Sequence, residues 1–173
     1  MKILRESNIH EVLDKWTDFE KETDDFKKWY QKYPDKIDAI KKYRQTLISP
    51  VYNKAKWHYV KFEENDLHKM KAINCEGWNH IPSLYIKDVA KYRFEKEKPV
   101  YYKLEEIYND IQKLPEEKKE LICICKDIAG PWTIIEGNHR ATAFARYYDI
   151  EKKVVFTNGY VGIIPTDLEY PFM

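Results

Sequence analysis

The run Trp132-Thr-Ile-Ile-Glu-Gly-Asn-His-Arg-Ala-Thr-Ala-Phe-Ala-Arg146 constrains the fold more than any other stretch. It reads as a buried strand, a one-glycine turn and a helix. Ala141, Phe144, Ala145 and Tyr148 recur at i, i+3, i+4 and i+7, which is one apolar stripe of a helix facing a core. His139 and Arg140 fall in the first turn, off that stripe. Gly137 removes the Cβ where the chain must turn sharply, and Asn138 is a good helix N-cap by residue type. The first backbone N–H groups of a helix lack internal partners and carry the positive end of its dipole, so such a turn suits a phosphate group. Arg140 adds a planar fork for two oxygens, and His139 a donor or proton carrier near neutral pH. The same pattern also serves plain structure, with Gly-Asn as a cap and His-Arg as surface polarity.

Beyond this run the spacing predicts helices first. Asn8 and Glu11 have the spacing of a capping box, and apolar residues from Ile9 through Trp16, Phe26 and Ile40 to Leu47 recur in steps of three and four. With Pro34 favoured as a first helical residue, two helices are predicted, about Ile9–Lys32 and Pro34–Leu47. Their seam also suits dimerisation or docking of a protein partner. Trp57–Phe62 reads as a strand, Asp66–Ile73 as a short helix, and Asn74–Pro82, with Gly77, Trp78, Asn79 and His80, as a lid-like loop. Tyr85–Phe94 has no clean period. Leu104–Leu114 is an amphipathic helix ended by Pro115, and Glu120–Lys126 a central strand. Val154–Phe156, the Asn158-Gly159 pair and Tyr160–Ile164 are predicted as a hairpin.

At 173 residues the chain fits a single domain, here divided into a helical extension over 1–50 and an α/β domain over 51–173. Thirty Lys and Arg against twenty-nine Asp and Glu do not call for nucleic acid as the main partner. A DNA-binding reading would have to rest on a local patch. Three irregularly spaced cysteines, with no signal peptide or membrane-length apolar run, point to a cytoplasmic protein with no membrane partner. Cys123 and Cys125 share one side of a strand and could join His139 around a metal, but the lack of a fourth ligand argues for buried small hydrophobes instead. No metal site is assigned.

Ile-Ile-Glu-Gly-Asn-His-Arg-Ala-Thr-Ala resembles the signature of the ParB/sulfiredoxin-like superfamily, in which a strand, a Gly-x-x-Arg turn and a helix bind nucleotide phosphates. The resemblance spans roughly Leu104 to Ile164 and is concentrated in those ten residues. It implies a small mixed sheet with packed helices, of α/β (α+β) class, and ATP, ADP or CTP as ligand together with Mg2+. Sulfiredoxins carry a cysteine where this chain has Asn138. ParB proteins have Glu-Arg-Arg over Asn138 to Arg140 and continue into a helix-turn-helix domain, for which the nine residues after Ile164 do not suffice. The free-serine kinase branch, with an acidic residue before the glycine, is similar to Glu136, Gly137, Arg140 and Ala141.

The expected phosphate-binding set is therefore Gly137, Asn138, His139, Arg140 and Thr142, with Glu136, His139 and Asp127 as catalytic candidates and His58 and His80 as side chains that could approach from elsewhere. Phosphoryl transfer needs donors for the phosphates and one residue to orient the nucleophile, and Glu136 and Asp127 are the nearest carboxylates in sequence. The expected function is a nucleotide-dependent phosphotransferase or hydrolase. The alternative is a non-enzymatic module that contacts protein or DNA, in a phage, plasmid or defence setting.

Overall fold

The protein is described by a computed structural model over residues 1–155 and 158–173. In chain order the elements are β1 (Lys2–Ser7), α1 (Ile9–Glu20), α2 (Asp24–Lys32), α3 (Lys36–Tyr43), α4 (Gln45–Ile48), β2 (Lys56–Lys61), a 3-10 helix (Glu64–Lys69), β3 (Met70–Lys71), α5 (Ile86–Glu95), α6 (Tyr102–Asp110), α7 (Glu116–Lys119), β4 (Leu121–Cys125), β5 (Trp132–Glu136), α8 (Asn138–Glu151) and β6 (Asn158–Ile163). The strands form one mixed sheet in the order β1-β2-β6-β4-β5-β3. β4 runs parallel to β6 and antiparallel to β5. This is the mixed α/β class expected from the sequence.

β4 is buried at every residue and β5 at all but its last, as central strands covered on both faces must be. α8 packs between the sheet and the pair α5 and α6, which buries Ala141, Phe144 and Ala145 as the stripe requires and also Thr142, Ala143 and Tyr147. Each fully buried Phe or Ile in this layer contributes on the order of 2 kcal/mol by leaving water.

Much of the N-terminal seam packs into the core, although Tyr30 stays exposed. Val12, Leu13, Trp16, Phe26, Ala39 and Ile40 are all buried in one cluster with the sheet residues. β1 adds an edge strand, paired antiparallel with β2, that the helical reading of residues 1–50 lacked. The first predicted helix is two, because Thr23 stops one and caps the next. Its hydroxyl donates to the Glu20 carbonyl and accepts from the Phe26 N–H. Asn8 caps α1 as expected, accepting from the Glu11 N–H at 3.1 Å. α3 begins at Lys36 rather than Pro34, since the Asp35 carboxylate accepts from both Ile37 and Asp38 N–H groups.

Two further expectations are corrected. The stretch read as a helix over Asp66–Ile73 is a 3-10 turn followed by β3, whose two residues pair with Trp132 and Thr133. Asn158-Gly159 is not a hairpin turn but the start of β6, held between β2 and β4. A Cβ at Gly159 would lie 2.4 Å from the Leu121 carbonyl oxygen, so glycine serves a close strand approach there. Val154 and Val155 are not in a strand, and Phe156, expected beside them, lies outside the described residues. Among the described residues no helix is long and apolar enough to cross a membrane.

Candidate functional site

β5 delivers Glu136 to the sheet edge, Gly137 turns the chain at φ 96°, and α8 starts at Asn138. That left-handed conformation favours glycine, and an added Cβ would sit 2.6 Å from Leu121 Cδ2 and 2.9 Å from Arg140 Nη2. A one-residue bulge, in which Ile122 faces Glu136 while Cys123 faces Ile134, re-aims the end of the strand. Asn138 does not cap its own helix. It is the first helical residue, and its buried amide ties the turn to the neighbouring chain: Oδ1 accepts from the Ile73 N–H and Nδ2 donates to the Ile134 carbonyl, both at 3.1 Å.

The turn opens onto a cleft of about 400 Å³. One wall is Glu136, Gly137, His139 and Arg140; the other comes from Phe19 and Glu20 at the end of α1, Arg44 after α3, and Lys103 on α6. Two guanidinium–carboxylate pairs face this space. Arg140 Nη2 donates at 3.3 Å to Glu136 Oε1 and to the Glu120 carbonyl, with its guanidinium 4.0 Å from the Phe19 ring centroid. Arg140 Nε is buried without a partner among the described residues. Arg44 binds Glu20 through Nε at 2.8 Å and through a second, close contact from Nη2. Glu20 is buried, so removing Arg44 would strand a carboxylate at a cost of about 3–5 kcal/mol.

Burial raises the Glu136 carboxyl above the ordinary carboxylate range, opposed by Arg140 and reinforced by Glu20. His139 shifts the other way. Its ring lies 5.1 Å from that of Trp78 and 5.2 Å from that of Tyr101. Burial, together with Lys103, Arg93 and Arg140, holds its pKa down at about 4. At neutral pH it is an uncharged imidazole, able to donate from one nitrogen and accept at the other. Its neighbour Trp78 is carried by the loop predicted as lid-like, which contributes Trp78 and Cys75 to the cleft lining.

Other expected residues do not join. Thr142 is fully buried and its hydroxyl donates to the Asn138 carbonyl at 2.8 Å, so it faces the helix rather than the cleft. Asp127 lies beyond the far end of β4, beside the start of β5, where it accepts from the Ala129 N–H. The sequence proximity of Asp127 to the motif is undone by the antiparallel turn between these strands. His80 pairs with Glu97 at 2.8 Å, outside the cleft lining, and His58 sits on β2 opposite Glu6. Cys123 and Cys125 are buried in β4, where burial pushes both thiols up.

The donors facing the cleft do not fit a resident magnesium ion. Glu20 and Glu136 each face a guanidinium, and among the described residues no group of three His, Cys, Asp or Glu converges as a cation cage would need. Any such ion would have to be carried by the phosphates of the ligand.

Glu20, Arg44, Lys103 and Tyr101 were not singled out from the sequence. The Glu20–Arg44 contact joins residues 24 apart, one ending α1 and the other between α3 and α4, and no local pattern announces it. No protein-family model matches this chain, and no curated protein or solved structure does either.

Proposed function

We propose that the cleft binds the phosphate groups of a nucleoside di- or triphosphate and supports phosphoryl transfer or hydrolysis. The observation that carries this reading is the concentration of Arg140, Arg44 and Lys103 around a cleft that opens at the first turn of α8. The turn's N–H groups and helix dipole favour an anion in that position, and the ParB/sulfiredoxin-like resemblance of the same turn points the same way.

Both arginines pair with the protein's own carboxylates. A phosphate would take the place of Glu136 on Arg140. Glu136 would then be freed of its guanidinium partner, and because burial raises its pKa its ionised form is a stronger base than an ordinary carboxylate. In the transfer step an acceptor hydroxyl or water attacks the terminal phosphorus, the new P–O bond forms as the bridging P–O bond breaks, and the acceptor's proton passes to Glu136. Arg140 and Arg44 hold the charge on the transferring oxygens, and neutral His139 donates to the leaving oxygen.

A thermal-shift screen with ATP, ADP, CTP and GTP, run on the wild type and on Arg140→Ala, tests the reading. One nucleotide should raise Tm by several degrees in the wild type and by none in the variant. Because Cys123 and Cys125 are buried while Cys75 lines the cleft, the bound nucleotide should also slow modification of the native protein by a thiol reagent. Equal shifts in both proteins, or none with any nucleotide, would overturn it.

A further inference from the structure

A second surface lies on the other side of α3 and α4. Tyr43, Arg44 and Leu47 line the cleft, whereas Lys41, Lys42 and Gln45 line a separate open groove of about 540 Å³ together with Tyr33, Tyr52 and Lys54. We propose that this groove is a binding surface for single-stranded nucleic acid, with the lysines on the phosphodiester backbone and the tyrosine rings under unpaired bases.

The charge is local rather than general. Residues 24–56 hold nine Lys and Arg against four Asp, in a chain whose totals are thirty and twenty-nine, so the net positive charge is gathered on this segment and the rest is acidic. Within the groove the only carboxylate in the lining is Asp38, 4.0 Å from Lys41. Lys42 and Lys54 are exposed and have no carboxylate partner among the described residues. Lys32 extends the same surface, its ammonium over the rings of Trp29 and Tyr33 rather than beside an acid.

Aromatic rings are interleaved with these cations. Lys41 lies 4.7 Å from the Tyr52 ring centroid, and Tyr33 and Tyr52 are both part-exposed. A positively charged track with rings along it is the arrangement that holds single strands without reading sequence, because every base has a face to stack and every linkage a phosphate to neutralise. Paired bases in a duplex present no such faces, and a protein partner would have no use for unpaired lysines unless it were acidic. The single strand is the occupant that uses both features.

The test is fluorescence anisotropy of an end-labelled 20-nucleotide oligo-dT with the full chain. Binding should weaken roughly 20-fold between 50 and 200 mM NaCl, the response of about three neutralised phosphates on a single strand. Lys42→Glu combined with Lys54→Glu should weaken it at least 10-fold, and Tyr52→Leu should weaken it while leaving the salt response in place. Lys91→Glu combined with Lys153→Glu, equally exposed but elsewhere, should change nothing. Circular dichroism of each variant establishes that it is folded. The inference is overturned by no wild-type binding at 50 mM salt, by an equal loss in the control pair, by equal affinity for a 20-base-pair duplex or for inorganic polyphosphate, or by displacement with millimolar ADP, which would assign the oligonucleotide to the cleft.

Discussion

Acidification should destabilise this protein through His139, and the size of the effect can be worked out. The imidazole is part-buried beside Trp78 and Tyr101, and its pKa falls from 6.5 to about 4. Between those values the unfolded chain binds a proton that the folded protein refuses, so the histidine's contribution is complete above pH 6.5 and is lost as pH falls toward 4. The shift converts to about 1.4 kcal/mol lost by pH 5.5 and about 2.5 kcal/mol by pH 4.5. His139→Phe keeps a ring in the same contacts but has nothing to protonate. Urea unfolding of both proteins at pH 7.0 and 5.5 isolates the histidine's contribution: the wild type should lose about 1.2 kcal/mol more than the variant over that interval. A difference below about 0.3 kcal/mol would refute the claim that this imidazole is held neutral.

Glu136 has the opposite sign. Its pKa is raised and a phosphate would displace it from Arg140, so nucleotide affinity should increase as pH falls through the Glu136 titration; calorimetry across a pH series in buffers of different ionisation enthalpy should show proton uptake on binding, and Glu136→Gln should abolish it. Gly137→Ala should cost about 1–3 kcal/mol, because the residue sits at φ 96° and its methyl would meet Leu121 and Arg140; a Tm equal to wild type would contradict the turn geometry. Asn138→Leu removes the acceptor of the Ile73 N–H and should destabilise by about 2–4 kcal/mol, read by denaturant midpoint. Cys123→Ser should lower stability by roughly 1–3 kcal/mol, since its hydroxyl is buried in β4, yet leave nucleotide affinity unchanged.

What the sequence disclosed depended on whether the signal was local. The 132–151 run announced its strand, glycine turn and helix because period and turn chemistry agree within twenty residues. β4 was legible as an apolar run for the same reason. α5 was not, although Ile86, Val89 and Ala90 sit at i, i+3 and i+4, because tyrosines and lysines on its other faces blur the stripe. β1 was hidden because an edge strand with most of its residues exposed has little apolar alternation to show. Asn158-Gly159 misled because a strong turn signal also fits a strand that must let a neighbouring backbone come close. At the cleft, Glu136, Gly137, His139 and Arg140 were all named from the sequence, whereas their facing pair Glu20–Arg44 depends on how α1 packs against α3. Asn138 was named for the wrong reason: residue type suggested a cap, and tertiary packing made it a cross-brace.

Phosphate oxygens should meet the first turn of α8, and backbone amide spectroscopy observes that turn directly. In a 1H–15N correlation titration of the uniformly labelled protein with ADP, the amides of Gly137, Asn138, His139 and Arg140 should show the largest shifts and saturate together, with the Arg140 side-chain Nε–H moving in step. A saturable titration whose shifts cluster elsewhere and leave those four amides in place would contradict that placement.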